Sequence, residues 1–316
     1  MSIHTYTHQQ ISQILETTAP MLMLDLAELD DDSDVALGRK AVSMGEAVFQ
    51  GHFPGQPILP GVLQVSAMVQ LARLLFQETI PAMGGTQIVL REVRRLKFRK
   101  PVMPGDIMQV QAQLLERRVD GEAEFQVSCS TAAGLASAGT LLLARVNTAD
   151  YEHPRCIKER PASPFADALA NGVVTDVAGL MKILPHRPPF LLLDKAVDIG
   201  EGDREKIYGC KNLSSCDTMV LGAPKGIYPF PLMLEAAAQL GCAHILSQPG
   251  NAGKLGIFLG IDSAHFYQHA KAGDQLVIAG HCDVGGRAGV ATGEIWVDDQ
   301  KIADCAMKFI LMDSLK

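Results

Sequence analysis

The chain has 316 residues, 47% of them hydrophobic, and its 35 acidic against 28 basic residues give a formal net charge of −7. That length suggests about two domains, and the acidic balance argues against nucleic acid as a main partner, since phosphate binding wants a basic excess. Seven cysteines stand singly with no C-x-x-C pair, and no apolar run approaches a signal peptide or a membrane span, so a reduced, cytoplasmic protein without a structural zinc site or a membrane span is expected.

Read in chain order, a short helix is predicted over 8–16 and a strand over 20–28, with a second strand ending near residue 48. One long helix follows over 61–78, GVLQVSAMVQLARLLF, apolar on almost every face until its last turn. A helix apolar all round is buried rather than laid on a surface. Alternating runs over 87–98, 107–117, 122–131 and 137–146 read as antiparallel strands. Residues 147–176 are rich in Pro, Ala and short polar residues with no strand period, and read as a linker.

The order then repeats. A helix is predicted over 177–184, a strand over 190–198, another ending near 219, a long helix over 230–247, and strands in LVIAGHCDV, GVATGEIWV and KIADCAMKFILM. Shifted by 169, LETTAPMLMLD (15–25) falls on LPHRPPFLLLD (184–194), and LPGVLQVSAMVQLA (59–72) falls on YPFPLMLEAAAQLG (228–241). A shift of 168 places KFRKPVMPGD (97–106) on HFYQHAKAGD (265–274). Such a pattern is a duplicated unit: an N-terminal unit over 1–146, a linker over 147–176 and a C-terminal unit over 177–316. One buried helix with an antiparallel sheet implies, in each unit, a sheet curled around a central helix.

The chemistry-bearing residues divide between the copies. In GHFPGQPILPGVL (51–63) prolines and glycines force a tight turn that ends at a helix start. Gly61 leaves backbone N–H groups open at the positive end of the helix dipole, where a developing oxyanion is stabilised. His52 lies nine residues earlier in the same segment, and an imidazole is a suitable base at neutral pH. In the second copy, Glu235 sits amid apolar residues of YPFPLMLEAAAQLG, with Gln239 one turn on to orient it. A buried carboxyl tends to be held neutral, which makes it a proton donor. Glu235 minus the offset is Ser66; His52 falls on Leu221, or on Ala223 if the loop has lost two residues. One copy thus carries only the base and the other only the acid, as a single composite site about a pseudo-two-fold axis requires.

With H-F-P-G-Q-P-I-L-P-G-V-L at 52–63, L-E-A-A-A-Q at 234–239 and I-L-P-H-R-P-P-F-L-L-L-D at 183–194, the chain resembles the (3R)-hydroxyacyl-acyl-carrier-protein dehydratases. The split of histidine and glutamate between halves resembles the fused dehydratase domains of polyketide synthases. The resemblance implies an α+β double hot-dog: two curved antiparallel sheets, each wrapped around a long central helix and related by a pseudo-two-fold. It implies dehydration of a 3-hydroxyacyl thioester to a trans-2-enoyl thioester, with His52 and Glu235 catalytic, Gly61 and Gln239 serving the substrate, no cofactor or metal, and acyl carrier protein as partner. Ser66 and the lost second histidine loop depart from the family pattern and put a second site in doubt.

The basic stretch REVRRLKFRK offers Arg91, Arg94, Arg95 and Lys97 as a docking surface for an acidic carrier protein, against the plainer reading of a solvated strand face. His265 and His269 lack metal-ligand neighbours in sequence. His186 and Arg187 read as structural, and His153 has no evident role. A thioesterase or enoyl isomerase on the same fold, or a non-catalytic acyl-binding scaffold, are the alternatives, and exposed strand edges leave homo-oligomer formation open.

Overall fold

A computed structural model describes residues 3–30, 34–79, 84–118, 120–151, 162–199 and 206–313. In the N-terminal unit, β1 (Ile3–Thr7) and helix α1 (His8–Leu15) precede β2 (Leu26–Asp30) and β3 (Val35–Ala41). The long helix α2 (Gly61–Thr79) then leads to β4 (Thr86–Phe98), β5 (Ile107–Arg117), β6 (Glu122–Thr131) and β7 (Gly134–Asn147). A short helix α3 (Ala166–Asn171) lies in the connection. The C-terminal unit repeats the order with β8 (Val174–Asp176), α4 (Val177–Ile183), β9 (Lys195–Val197), β10 (Ile207–Asn212) and α5 (Phe230–Ser247). It ends with β11 (Leu255–Phe266), β12 (Gln275–Gly285), β13 (Ala288–Val297) and β14 (Gln300–Met312).

The short opening helices start where side chains satisfy their first N–H groups. Thr7 and Gln10 form a reciprocal capping box on α1, and Asp176 accepts from Gly179 N at 2.8 Å on α4. The long helices are buried nearly all round: Val65, Ala67, Met68, Leu71, Ala72 and Leu74 of α2, and Leu232, Met233, Leu234, Ala236 and Leu240 of α5, are 2% exposed or less. Each buried Leu or Met stabilises by about 1.5–3 kcal/mol, so these helices anchor the two cores.

The two expected antiparallel sheets, one per unit, join edge to edge. A single fourteen-stranded sheet runs in the order β1-β2-β3-β5-β6-β7-β4-β11-β14-β13-β12-β10-β9-β8, antiparallel throughout. Its two halves mirror one another about the β4–β11 seam, where Leu96 pairs with Ile261 and Val93 with Ala264. Pairing at this seam, between residues ~170 positions apart, is non-local and follows from no local pattern. A side chain at Gly260 would place its Cβ 2.3 Å from the Leu96 carbonyl oxygen, so the seam depends on that glycine.

The strands expected over 20–28 and 190–198 are mostly loop. Residues 20–25 form no strand although Met21, Met23 and Leu24 are buried, and β9 covers only Lys195–Val197. The reason is a side chain. Gln70 Oε1 accepts from Met23 N at 2.8 Å and its Nε2 donates to Met21 O at 2.7 Å, replacing a strand ladder; Gln239 does the same to Leu192 N and Phe190 O, both at 2.8 Å. The strands expected to end near 48 and 219 end at Ala41 and Asn212. The linker contains α3, and its last residues form β8, which pairs with β9. His153 lies outside the described residues.

Candidate active site

Two loops from different units meet beside α5. A Cβ on Gly51 would lie 2.0 Å from the Arg187 carbonyl oxygen, and Arg187 N donates to Gly51 O at 3.0 Å. Only glycine permits that approach, and it brings His52 against His186, with ring centroids 5.5 Å apart. The same contact recurs on the other side, where Thr18 N donates to Gly222 O at 2.8 Å. Gly222 therefore matches Gly51, and the residue matching His52 is Ala223.

The His52 ring places Nδ1 2.7 Å from Ile58 O. A carbonyl can only accept, so Nδ1 carries the hydrogen and Nε2 is left as the lone-pair nitrogen. Burial, then the neighbouring His186, pushes this imidazole down to about 4 against the opposing pull of Glu235. At neutral pH it is uncharged and able to accept a proton.

Glu235, 6% exposed, accepts from Gln239 Nε2 at 2.9 Å and lies 3.4 Å from His186 Nε2. Burial pushes its carboxyl up, but the hydrogen bond and positive character of His186, the His52 ring and the Gln239 amide together hold it below the ordinary carboxylate range. The expectation of a carboxyl held neutral by burial is thus corrected: in the free protein it is a carboxylate, because partners 49 and 4 residues away satisfy it. Gln239 serves two purposes, clamping the Phe190–Leu192 loop and orienting Glu235.

His186, expected from the sequence to be structural, stands between Glu235 and His52. Its signal was present: the offset that pairs Glu235 with Ser66 pairs His186 with Thr17, so this histidine too occurs in one copy only. Arg187 is structural, its Nη1 donating to Leu184 O at 2.8 Å and His186 O at 2.6 Å.

The ligand atoms of His52, His186 and Glu235 lie within 4.8 Å of one another. A tetrahedral zinc with bonds of ~2.0–2.2 Å needs ligand atoms ~3.4 Å apart, and Glu235 Oε1 is already held by Gln239. The arrangement suits proton transfer better than metal ligation.

These groups open on a cavity of about 330 Å³ that also touches Gly61, Phe98, Arg99 and Lys100. Gly61 begins α2, whose first N–H groups have no intrahelical partner. It is glycine for a further reason: a Cβ there would lie 2.7 Å from the Phe98 ring. Apolar residues of the lining include Leu234, Ala238, Ile257, Phe258 and Met307, and Gly256 faces Cys242 so closely that a Cβ there would lie 2.7 Å from its Sγ.

Among the expected docking residues, Arg95 and Lys97 are exposed. Arg94 is held by Glu92 and Glu124, both at 2.9 Å, and Arg91 is half-buried with a partner. His265 is not isolated either, since Glu92 across the seam and Asp304 on the neighbouring β14 flank it at 2.9 and 2.8 Å.

A family model described as ApeI dehydratase matches residues 28–139, and a FabA-like domain model matches residues 184–306. The 3-hydroxyacyl-[acyl-carrier-protein] dehydratase FabZ of Symbiobacterium thermophilum is 39% identical over 137 residues, covering 42% of this chain and 95% of that protein. Its counterpart in a Geobacillus species is 35% identical over 145 residues, covering 44% and 96%. Each relative is thus matched by less than half of this chain. Over the whole chain, the dehydratase domain from the CurJ module of curacin polyketide synthase superposes with a TM-score of 0.64 at 14% identity, covering 92% of this chain and 96% of that one. The dehydratase domain of PpsC from Mycobacterium tuberculosis gives 0.61 at 15%, covering 93% and 100%. These likenesses establish the double hot-dog fold. No described helix is long and apolar enough to cross a membrane.

Proposed function

Because the chain belongs to the 3-hydroxyacyl-[acyl-carrier-protein] dehydratase family, we propose that it removes water from a 3-hydroxyacyl thioester at one composite site. The observation that carries this reading is the meeting of His52, from the N-terminal unit, with Glu235 and His186, from the C-terminal unit, at the head of one apolar cavity.

The residues take distinct roles. His52 Nε2, uncharged at neutral pH, removes the α-proton of the substrate. The Gly61 amide, at the start of α2, stabilises the enolate oxygen that develops; one such donor contributes about 3–4 kcal/mol. The proton for the leaving hydroxyl comes from the Glu235–His186 pair. The filled cavity raises the proton affinity of the carboxylate, so Glu235 carries the proton that it delivers to the 3-hydroxyl, and the α-proton taken by His52 passes back to Glu235 after water leaves, which restores both groups. A C–H and a C–O bond break, the C2–C3 double bond forms, and water leaves. The two imidazoles and the carboxyl complete the acid–base set, and no step calls for a cofactor. The apolar lining of the cavity takes the acyl chain.

The substrate arrives on an acidic carrier protein, which Arg95 and Lys97 attract together with Arg99 and Lys100, exposed at the cavity mouth. We place the reaction in the cytoplasm, a reading supported by the described cysteines, none of which forms a disulfide.

The test is incubation with a panel of 3-hydroxyacyl carrier-protein thioesters of increasing chain length. Loss of one water with the thioester intact is expected. Release of free thiol would identify a thioesterase, and migration of a double bond without loss of water would identify an isomerase. Stoichiometric acyl binding without turnover would identify a scaffold.

A further inference from the structure

The pseudo-two-fold produces a second cavity of about 290 Å³, the counterpart of the catalytic one. Where the catalytic cavity has Glu235, Gln239 and Cys242 along α5, this one has Ser66, Gln70 and Arg73 along α2. Ala223 stands where His52 would, and Phe230 where Gly61 would. The dehydration chemistry is gone, yet the cavity remains open and its depth is charged.

Three polar atoms around it have no hydrogen-bond partner among the described residues: Arg73 Nε, Gln77 Oε1 and the hydroxyl of Tyr228, the last on a side chain that is 0% exposed. Buried polar groups are normally satisfied, and leaving one unpaired costs about 1–3 kcal/mol. Three such atoms around one cavity is the pattern of a site that completes its hydrogen bonds on a ligand.

The charges set the ligand class. Glu16, an exposed residue, is the carboxylate that acts on Arg73, and the exposed Lys225 adds a second cation, so these three lining residues sum to one positive charge. His269 adds no charge, since burial and the neighbouring Lys271, Arg73 and Lys225 push it down to about 3. Part of the wall is apolar, with Ile14, Leu15, Ile88 and Leu90, beside polar residues such as Thr17, Thr86 and Gln87.

We propose that this second cavity binds a small amphiphilic monocarboxylate, a free medium-chain fatty acid, whose carboxylate accepts from Arg73 Nε and the Tyr228 hydroxyl while its tail lies on the apolar wall. The protein would then carry a thioester site and a free-acid site, derived from the same ancestral pocket by replacing a glutamate–cysteine edge with a serine–arginine edge.

Calorimetric titration tests this with two probes of equal chain length, octanoate and octan-1-ol, against the full chain and its Arg73→Gln and Tyr228→Phe variants. A hydrogen bond to a charged group contributes about 1.5–3 kcal/mol, so each variant is expected to weaken octanoate about ten- to a hundredfold and octan-1-ol less than twofold. If Arg73→Gln fails to fold, Tyr228→Phe decides alone, because it removes only an unpaired hydroxyl. The proposal is overturned if octanoate does not bind, if it binds no better than octan-1-ol, or if the variants bind it as the parent does, which would place the bound acid in the catalytic cavity.

Discussion

Replacing His186 with glutamine probes the proton economy of the site. His186 Nε2 lies 3.4 Å from Glu235 Oε1, and its ring centroid lies 5.5 Å from that of His52. Two unit charges at that separation interact by about 3 kcal/mol at an effective dielectric constant of 20. The paired Glu235 carboxylate opposes part of this, so about one pH unit of effect on His52 is expected. The sign follows from the causes: His186 pushes His52 down, so its removal lets His52 rise from about 4. His186 also holds Glu235 down, so its removal lets Glu235 rise. Both limbs of the kcat/KM profile should therefore move to higher pH together, and kcat at neutral pH should fall about tenfold to a hundredfold. The assay is enoyl formation by the parent and His186→Gln proteins between pH 4 and 9. A variant whose profile stays in place and whose kcat changes less than twofold would refute the role assigned to His186.

Other consequences can be checked separately. His52 and His269 are held at about 4 and about 3 when folded, against 6.5 for a free imidazole. The native state therefore binds fewer protons than the unfolded chain, and the stability this confers is present above pH 6.5 and lost as pH falls towards 4. At pH 5 the loss is about 2 kcal/mol for each histidine, measurable as a lower urea midpoint that His269→Phe partly restores. A Cβ on Gly256 would lie 2.7 Å from Cys242 Sγ, so Gly256→Val should shorten the acyl cavity. At about 0.8 kcal/mol per methylene, kcat/KM for long-chain substrates should drop about fourfold per displaced carbon, while the shortest substrates are spared; equal losses at all lengths would contradict the placement. Arg95→Glu with Lys97→Glu should raise KM for carrier-protein thioesters severalfold and reduce its salt dependence, leaving a small soluble thioester unaffected.

Much of this architecture was legible in the chain because it is written in local periods. The duplicated order, the two all-apolar helices and the long alternating strands each follow from spacing that a single segment carries. Elements held by distant partners were not legible. Residues 20–25 have the apolar content of a strand, and only the Gln70 amide, 47 residues beyond Met23, shows why they form a loop. The β4–β11 seam joins the units through pairings that neither strand announces. At the site, the division of His52 and Glu235 between copies was readable from the repeat, and the same comparison flags His186. The ionisation of Glu235 was not readable, because it depends on the His186 contact, and sequence spacing says nothing about a neighbour brought in by a folded loop. The basic run was visible, but the pairing of Arg94 with Glu92 and Glu124 was not.

The central claim is that the two units build one catalytic centre. Its most direct measurement is kcat for His52→Ala, Glu235→Gln and the double variant on a carrier-protein-bound 3-hydroxyacyl thioester. Groups acting in one turnover are strongly non-additive. Each single variant should lose about 10²–10⁴ in rate, with the double variant falling no further than the weaker single one. Two singles that each keep about half the parent rate, with only the double variant silent, would mean a separate working site in each unit.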